Sequence, residues 1–406
     1  MSTIRVDILK KNIPFYDNLI QVEKLMGAKV YIVGGALRDL YLNKEIKDVD
    51  LTVENVDYGE FAIEFCKNIK TKPIAFKDNY RICKKGFELD ISVLRGSNIF
   101  EDTSLRDFTI NNIAVTLDGK TVINNDEDIK NKVIKAVYSG TFDADPVRIV
   151  RAFRFASTLN FHIDKTTLNL INEKKDLLEN VAKERILAEI KKMFDGINLE
   201  YSLNLIVELD VFNKFLDIKQ TDLKSVCTFI NTPYTAIEEI LKDNIDNENF
   251  LNKFKGIINE NIDFSLKFSL FVDDIDFINF LGLSTKELKE SLYYKTLNYD
   301  NLKNLFNDNN EKELKRFIFF NKDMILKAAI YILYKYKDSE LFIKLITLLK
   351  SMDFNAAKLI NGGYLGKIGM KPSPLYKNII NEVSFLLSIG ELNIDNMKDF
   401  ILNNFS

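Results

Sequence analysis

Residues 33–51 of the chain read VGGALRDLYLNKEIKDVDL, and the strand at their end continues as DVDLTVE over 48–54. Successive strand residues point to opposite faces. Leu51 and Val53 therefore seek a core, while Asp48 and Asp50 project together from the other face, about 7 Å apart along the strand. Two carboxylates held that close repel each other unless a cation or a donor stands beside them. Hard oxygen ligands of this kind suit magnesium, which keeps part of its water shell and takes phosphate oxygens from a substrate. Upstream, Gly34 and Gly35 open a helix whose bare backbone amides can approach a phosphate closely. Arg38, one turn in, adds a charge-assisted donor. A solvated surface strand after a tight turn would also carry Asp-x-Asp. The glycine pair, the arginine and the paired aspartates in this order describe instead a phosphate clamp beside a metal site.

Working outward, the chain up to about residue 135 alternates strand-like and helix-like segments. KVYIV (29–33), KPIAFKDN (72–79), FELDISVL (87–94) and TINNIAVTL (109–117) read as strands beside DVDLTVE, and YGEFAIEFCKNI (58–69) reads as a helix. From about residue 143 long amphipathic segments take over, and proline is nearly absent from 147 to 371. The expected architecture is α+β, a mixed head followed by an all-helical remainder in two or three bundles.

The composition excludes several classes. Apolar residues make up 46% and charged residues 28%, as in an ordinary globular protein. The net charge of −3 gives no global attraction to nucleic acid, although a local basic surface is compatible with it. Three widely spaced cysteines, Cys66, Cys83 and Cys227, point to a reducing compartment without a disulfide framework or a zinc cluster. No apolar run reaches the ~18 residues of a membrane span, and the first residues lack the apolar core of a signal peptide, so the expected location is the cytoplasm. The chain has one histidine, His162, which rules out histidine-rich metal sites and most histidine-based triads. His162 itself reads as an ordinary loop or packing residue.

Three further stretches carry chemistry. In FELDISVLRG (87–96), Asp90 lies amid apolar alternation and needs a partner, because a buried unpaired charge is expensive. It is either a third carboxylate beside Asp48 and Asp50 or an edge-strand aspartate paired with Arg95. In LRDFTINN (105–112), Arg106 and Asp107 precede a strand, with Asp107 suited to a turn or cap. In DADPVRIVRAFRFASTLNFHID (143–164), Asp145 before Pro146 fits a helix N-cap followed by proline at the first helical position. Arg148, Arg151 and Arg154 then recur every third residue beside an apolar stripe of Ile149, Ala152, Phe153 and Ala156. Three guanidiniums without interleaved acids call for something anionic against them.

Taken together these stretches resemble the superfamily of class II tRNA nucleotidyltransferases and bacterial poly(A) polymerases, whose catalytic head is polymerase-β-like. Its first motif corresponds to residues 34–50, its Arg-Asp-Phe-Thr-Ile-Asn motif to 106–111, and its Asp-Pro-x-Arg-x-x-Arg-x-x-Arg-Phe helix to 145–155. AKERILAEIKKM (182–193) is similar to its Glu-Arg motif through Glu184 and Arg185, and INGGYLGKIGMKPSPLYKNIINEV (360–383) to the carboxy-terminal segment of tRNA-specific members. The resemblance is dense over 29–193, absent over 200–355, and returns beyond.

The resemblance implies a nucleotidyltransferase head over 1–138, a helical neck over 139–200 with the base-reading helix, a helical body over 201–355 and a tRNA-binding helical tail over 356–406. It implies that Asp48 and Asp50 bind Mg2+ and that Asp90 is a third catalytic carboxylate. Gly34, Gly35 and Arg38 would meet the nucleotide, Arg106 and Asp107 would lie near its ribose and phosphates, and Asp145 with Arg148 would read the base, supported by Arg151 and Arg154. An aspartate accepting from an exocyclic amine and an arginine donating to the adjacent ring nitrogen suit both CTP and ATP. The carbonyls of uracil and guanine oppose such a carboxylate. The implied activity is template-independent addition of CCA to tRNA from CTP and ATP, by a monomer or homodimer. Addition of CC or A alone, poly(A) synthesis, and RNA binding without catalysis are the alternatives. The segment between FELDISVLRG and LRDFTINN separates the full and partial enzymes in the family. Two residues depart from the family pattern: Ala144, where a glutamate is frequent, and Leu105, where many members have a second arginine. With a single histidine, no histidine-aspartate phosphohydrolase domain is expected.

Overall fold

The structure, a computed structural model, describes residues 4–46, 48–84, 86–123, 126–212, 227, 230, 262–272 and 275–405. The chain divides into two compact units, Met1–Phe215 and Leu216–Ser406. The described part of the expected body over 201–355 is helical; most of residues 213–261 lie outside the described residues.

The first unit is built on a seven-stranded sheet in the order β3-β4-β5-β2-β1-β6-β7. The strands are β1 (Lys29–Val33), β2 (Asp48–Glu54), β3 (Ile74–Ala75), β4 (Asn79–Lys84), β5 (Phe87–Ser92), β6 (Ala114–Thr116) and β7 (Thr121–Ile123). All neighbours are antiparallel except β2 and β5. Registration of Ile32 with Leu51, Leu51 with Ile91, Leu89 with Ile82 and Ile32 with Val115 lines one face with buried aliphatic side chains. Helices α2 (Tyr16–Met26) and α4 (Tyr58–Asn68) bring Leu19, Val22, Phe61 and Phe65 into the same core. Each such side chain contributes roughly 1.5–3 kcal/mol on burial, enough to carry an unfavourable opposite face.

That opposite face holds Asp48, Asp50, Thr52 and Glu54. Its far end is closed by a small cluster of Tyr31, Val33, Ile99 and Ala114. Glu54 accepts there from the Tyr31 hydroxyl at 2.7 Å and from the Ile99 amide at 2.7 Å. Its near end stays open around Asp48.

Three local expectations differ from the structure. β4, which carries Arg81, was not among the predicted strands; its exposed and half-buried residues mask the alternation. The stretch expected as one strand over 109–117 begins as a 3₁₀ turn, Thr109–Asn111, and only Ala114–Thr116 pairs. His162 is exposed and sits in a two-residue strand β9 (His162–Ile163) parallel to β8 (Val133–Ile134), rather than in a loop or a packed position.

After α7 (Thr141–Ala144) comes α8 (Arg148–Leu159), which packs on α10 (Lys183–Phe194) and α11 (Leu199–Glu208). Ile149, Ala152, Phe153 and Ala156 are buried, as the apolar stripe requires. Ser157 donates to the Met193 carbonyl at 2.7 Å and Ser202 to that of Phe153 at 2.8 Å, pinning the three helices together.

The described part of the second unit is helical. At its end, Leu365, Ile379, Val383, Phe385, Met397 and Ile401 form a buried cluster. Arg316 fastens the helix Glu311–Phe320 to Tyr376–Ser388 through two hydrogen bonds to Glu382, at 2.6 and 3.0 Å. No helix among the described residues is long and apolar enough to cross a membrane.

Candidate active site

The parallel pairing of β2 with β5 sets Asp48 beside Glu88 and Asp50 beside Asp90 in register. Asp48 is exposed and Asp50 half-buried. No described residue donates a hydrogen bond or an ion pair to either carboxylate. Burial raises the Asp50 carboxyl to about 6; Arg106 opposes the rise, and Asp48 and Asp90 add to it. A carboxylate pair without donors among the described residues, with Asp50 pushed toward its neutral form by burial, is a site for hard divalent cations, and the donor set fits.

Asp90 stands beside Asp50, where the third carboxylate was expected, and its described partner is not Arg95. Arg81 of β4 grips it with Nε to Oδ1 at 2.9 Å and Nη2 to Oδ2 at 2.8 Å. Among the described residues no group of three or more carboxylate, histidine or cysteine side chains is gathered for a metal.

The glycine pair performs a steric task. Gly34, the N-cap of α3 (Gly35–Tyr41), has φ +74° and ψ −132°, a conformation reserved for glycine. A methyl group there would meet Arg106 Nη1 at 3.0 Å and Asp50 Oδ2 at 3.7 Å. Gly34 therefore lets the arginine and the carboxylate come together over the turn. Gly34→Ala should cost about 1–3 kcal/mol of stability in chemical denaturation and lower kcat/KM further by displacing Arg106. Unchanged stability and activity would remove this role.

Beside this turn lies a cavity of about 380 Å³ lined by Arg95, Arg106, Asp107, Asp145, Val147, Arg148, Arg151, Arg185, Ala188 and Glu189. Arg106 is its link to Asp50. It is held by Asp102, a buried residue that sequence reasoning passed over, at 2.9 Å from Nη2. The other oxygen of Asp102 accepts the Arg95 amide at 3.1 Å. The Arg95 guanidinium pairs with no described residue. Arg148 is buried, donating to the Thr141 hydroxyl at 2.9 Å and to the Leu105 carbonyl at 3.0 Å.

The anionic matter that the arginine ladder demands is protein. Arg151 donates to Asp107 through Nε at 3.0 Å and Nη2 at 2.9 Å, and to Glu189 through Nη1 at 2.9 Å. Arg154 Nε stands 2.8 Å from Glu189 Oε2 as a close ion pair rather than an aligned hydrogen bond. Its guanidinium lies 3.6 Å from the centroid of the Phe155 ring. Burial lowers Arg154 to about 10 despite Glu189. Asp107 also accepts from the Phe108 amide at 2.8 Å and from Asn111 at 2.9 Å. Burial pushes its carboxyl up, but Arg151, Asn111 and that amide prevail and hold it at about 2. Asn111 in turn accepts from Arg38 at 2.6 Å, and Arg38 also binds Asp39. Neither Arg38 nor Arg154 lines the cavity; both are fasteners beneath it. Glu189 was not singled out from the sequence, although a glutamate on the stripe Ile186, Ile190, Met193 was the available signal.

Asp145 is not the expected N-cap. α8 begins at Arg148 with no side-chain cap, while Asp145 closes α7. The amides of Arg148 and Ile149 bond to the carbonyls of Asp145 and Pro146, a tight turn that frees the carboxylate. Arg185 takes it at 2.8 Å.

Residues 30–96 match the family described as the poly A polymerase head domain, and residues 160–221 match a probable RNA and SrmB-binding site of polymerase A. A CCA-adding enzyme of Lactococcus lactis subsp. cremoris is 30% identical over 334 residues, covering 73% of this chain and 79% of its own length. A CC-adding tRNA nucleotidyltransferase of Geobacter sulfurreducens is 35% identical over 181 residues, 42% of this chain and 41% of its own. The solved complex of a CCA-adding enzyme with CTP shares the fold, with a TM-score of 0.71 at 20% identity over 100% of both chains.

Proposed function

The chain belongs to the CCA-adding family of tRNA nucleotidyltransferases, and we propose that it completes tRNA by adding CCA from CTP and ATP in the cytoplasm. The observation that carries this reading is the adjacency of two unpartnered carboxylates, Asp48 and Asp50, to an arginine-lined cavity through Arg106. A triphosphate needs both a cation site and guanidinium donors. Asp48 and Asp50 would hold two divalent cations, magnesium in this reading, which supply activation of the terminal ribose hydroxyl and charge neutralisation on the departing pyrophosphate. Arg106 and Arg95 bind triphosphate oxygens at the mouth of the cavity. Asp145 accepts from the exocyclic amine of cytosine or adenine, and Arg148 donates to the neighbouring ring nitrogen. Arg151, Arg154 and Asp107 hold α8 in place for that pairing. Asp90, in register beside Asp50 on the next strand, is a third carboxylate near the cations, with Arg81 balancing its charge. In this reading residues 1–138 form the catalytic head, 139–200 the neck, 201–355 the body and 356–406 the tRNA-binding tail.

A second reading, addition of CC alone, has a specific observation in its favour. Residues 96–104, which connect the cavity residues Arg95 and Arg106, fold as a short self-capped turn and helix. Ser97 and Asn98 donate to Glu101, and Asn98 caps the helix Ile99–Ser104. A connection this tightly bonded gives Arg95 and Arg106 little freedom to readjust between a pyrimidine and a purine. The test is incorporation of labelled CTP and ATP, separately and together, on tRNAs ending before CCA, after CC and after CCA. CCA addition is expected to extend the first by three nucleotides with both substrates and the second by a single A. A stop after CC with both substrates would assign the partial activity, and growth past CCA would assign poly(A) synthesis.

A further inference from the structure

We propose that Arg185 is the positioning residue for Asp145, fixing which carboxylate oxygen faces the base; this rests on the base-reading role given to Asp145 above. Three observations carry it. The residue before Asp145 is Ala144, whose methyl offers no polar group to orient the carboxylate. The Asp145 side chain caps no helix, since its backbone ends α7 and α8 starts without a side-chain cap. The orienting contact among the described residues is the Arg185 Nη2 donation to Oδ2 at 2.8 Å, and no described group donates to Oδ1. One oxygen is thereby anchored and the other is left for the amine of an incoming base.

The pair is a poor candidate for a stabilising interaction. The side chains of Arg185 and Asp145 are 55% and 27% exposed, and ion pairs this open add little to stability. Both residues line the cavity. Arg185 and Glu189 also sit four residues apart on α10, hence on one face of it. That single face of α10 presents the carboxylate that fastens Arg151 and Arg154 and the guanidinium that aims Asp145, so it holds both the helix that carries Arg148 and the acceptor half of the base-reading pair. A carboxylate free to swing loses its geometric preference for an amine over a carbonyl, and discrimination suffers before chemistry does.

The experiment measures kcat/KM for CTP and for UTP on tRNA lacking CCA, in the full-length parent, Arg185→Ala, Arg185→Lys and Asp145→Ala. Arg185→Ala is expected to lose at least tenfold of the preference for CTP over UTP, with tRNA affinity held. Arg185→Lys should regain part of that preference, because the contact is monodentate and an ammonium can supply it. Equal losses for CTP and UTP in Arg185→Ala would make Arg185 a contact to the shared triphosphate and overturn the proposal. If Asp145→Ala loses the preference while Arg185→Ala keeps it within twofold, positioning by Arg185 falls and base reading stands. If Asp145→Ala itself keeps the preference, base reading falls and this inference falls with it.

Discussion

Asp50→Ala, and equally Asp48→Ala, should remove nucleotide incorporation by more than about 10³-fold in kcat, while tRNA binding stays within a few-fold of the parent. The two side chains have no donor from any described residue, so neither variant breaks a fold contact. Both sit at the open end of a sheet whose opposite face supplies the packing. Parallel loss of tRNA binding and incorporation would instead mark a structural role and remove the catalytic assignment.

The same residue makes a second, opposite-signed prediction. Burial raises the Asp50 carboxyl to about 6, above its unfolded value near 3.9. Between those values the folded state binds more protons than the unfolded, so stability falls as pH rises through the window. Above about pH 6 the full penalty is present, at most about 3 kcal/mol and less where solvent reaches the outer oxygen. Asp50→Asn in the presence of EDTA should therefore unfold at higher denaturant than the parent at pH 8, with the gain vanishing by about pH 4. A variant that is inactive yet more stable is the signature of a charge kept for chemistry at the expense of the fold. An Asp50→Asn protein less stable than the parent at pH 8 would contradict it.

The paired carboxylates Asp48 and Asp50 and the α+β division were legible because period-two alternation and helical stripes are local signals. DVDLTVE announces two faces whatever it packs against, and KVYIV pairs over the whole predicted length. The partners were not legible, because they are set by register and by helix rotation. Asp90 meets Arg81 rather than Arg95 through the antiparallel register of β4 on β5, which fixes Arg81 opposite Asp90. The Asp-Pro pair suggested a capped helix, but the tight turn through Pro146 moves the first helical residue to Arg148 and releases the carboxylate to α10. The arginine ladder correctly demanded an anion. Its supplier, Glu189, lies 38 residues beyond Arg151, on a helix whose rotation about its own axis no local pattern states.

Glu189 consequently carries a large expected stability effect. It is buried and bridges Arg151 at 2.9 Å and Arg154 at 2.8 Å. Glu189→Ala leaves Arg151 its bond to Asp107 but leaves Arg154, 14% exposed, with the Phe155 ring and the more distant Asp107 charge as its favourable described neighbours and Arg151 and Arg38 as like-charged ones. Removing one partner of such a buried group costs about 3–5 kcal/mol, a large share of a typical domain's stability. The decisive comparison is the double variant. Arg154→Met on the Glu189→Ala background removes the stranded charge and keeps the bulk, so it should recover a major part of the loss in urea unfolding. Recovery would establish the uncompensated guanidinium as the source of the damage. A Glu189→Ala protein within 1 kcal/mol of the parent, or a double variant no better than the single one, would show that packing of α8 on α10, and not this ion network, fixes α8.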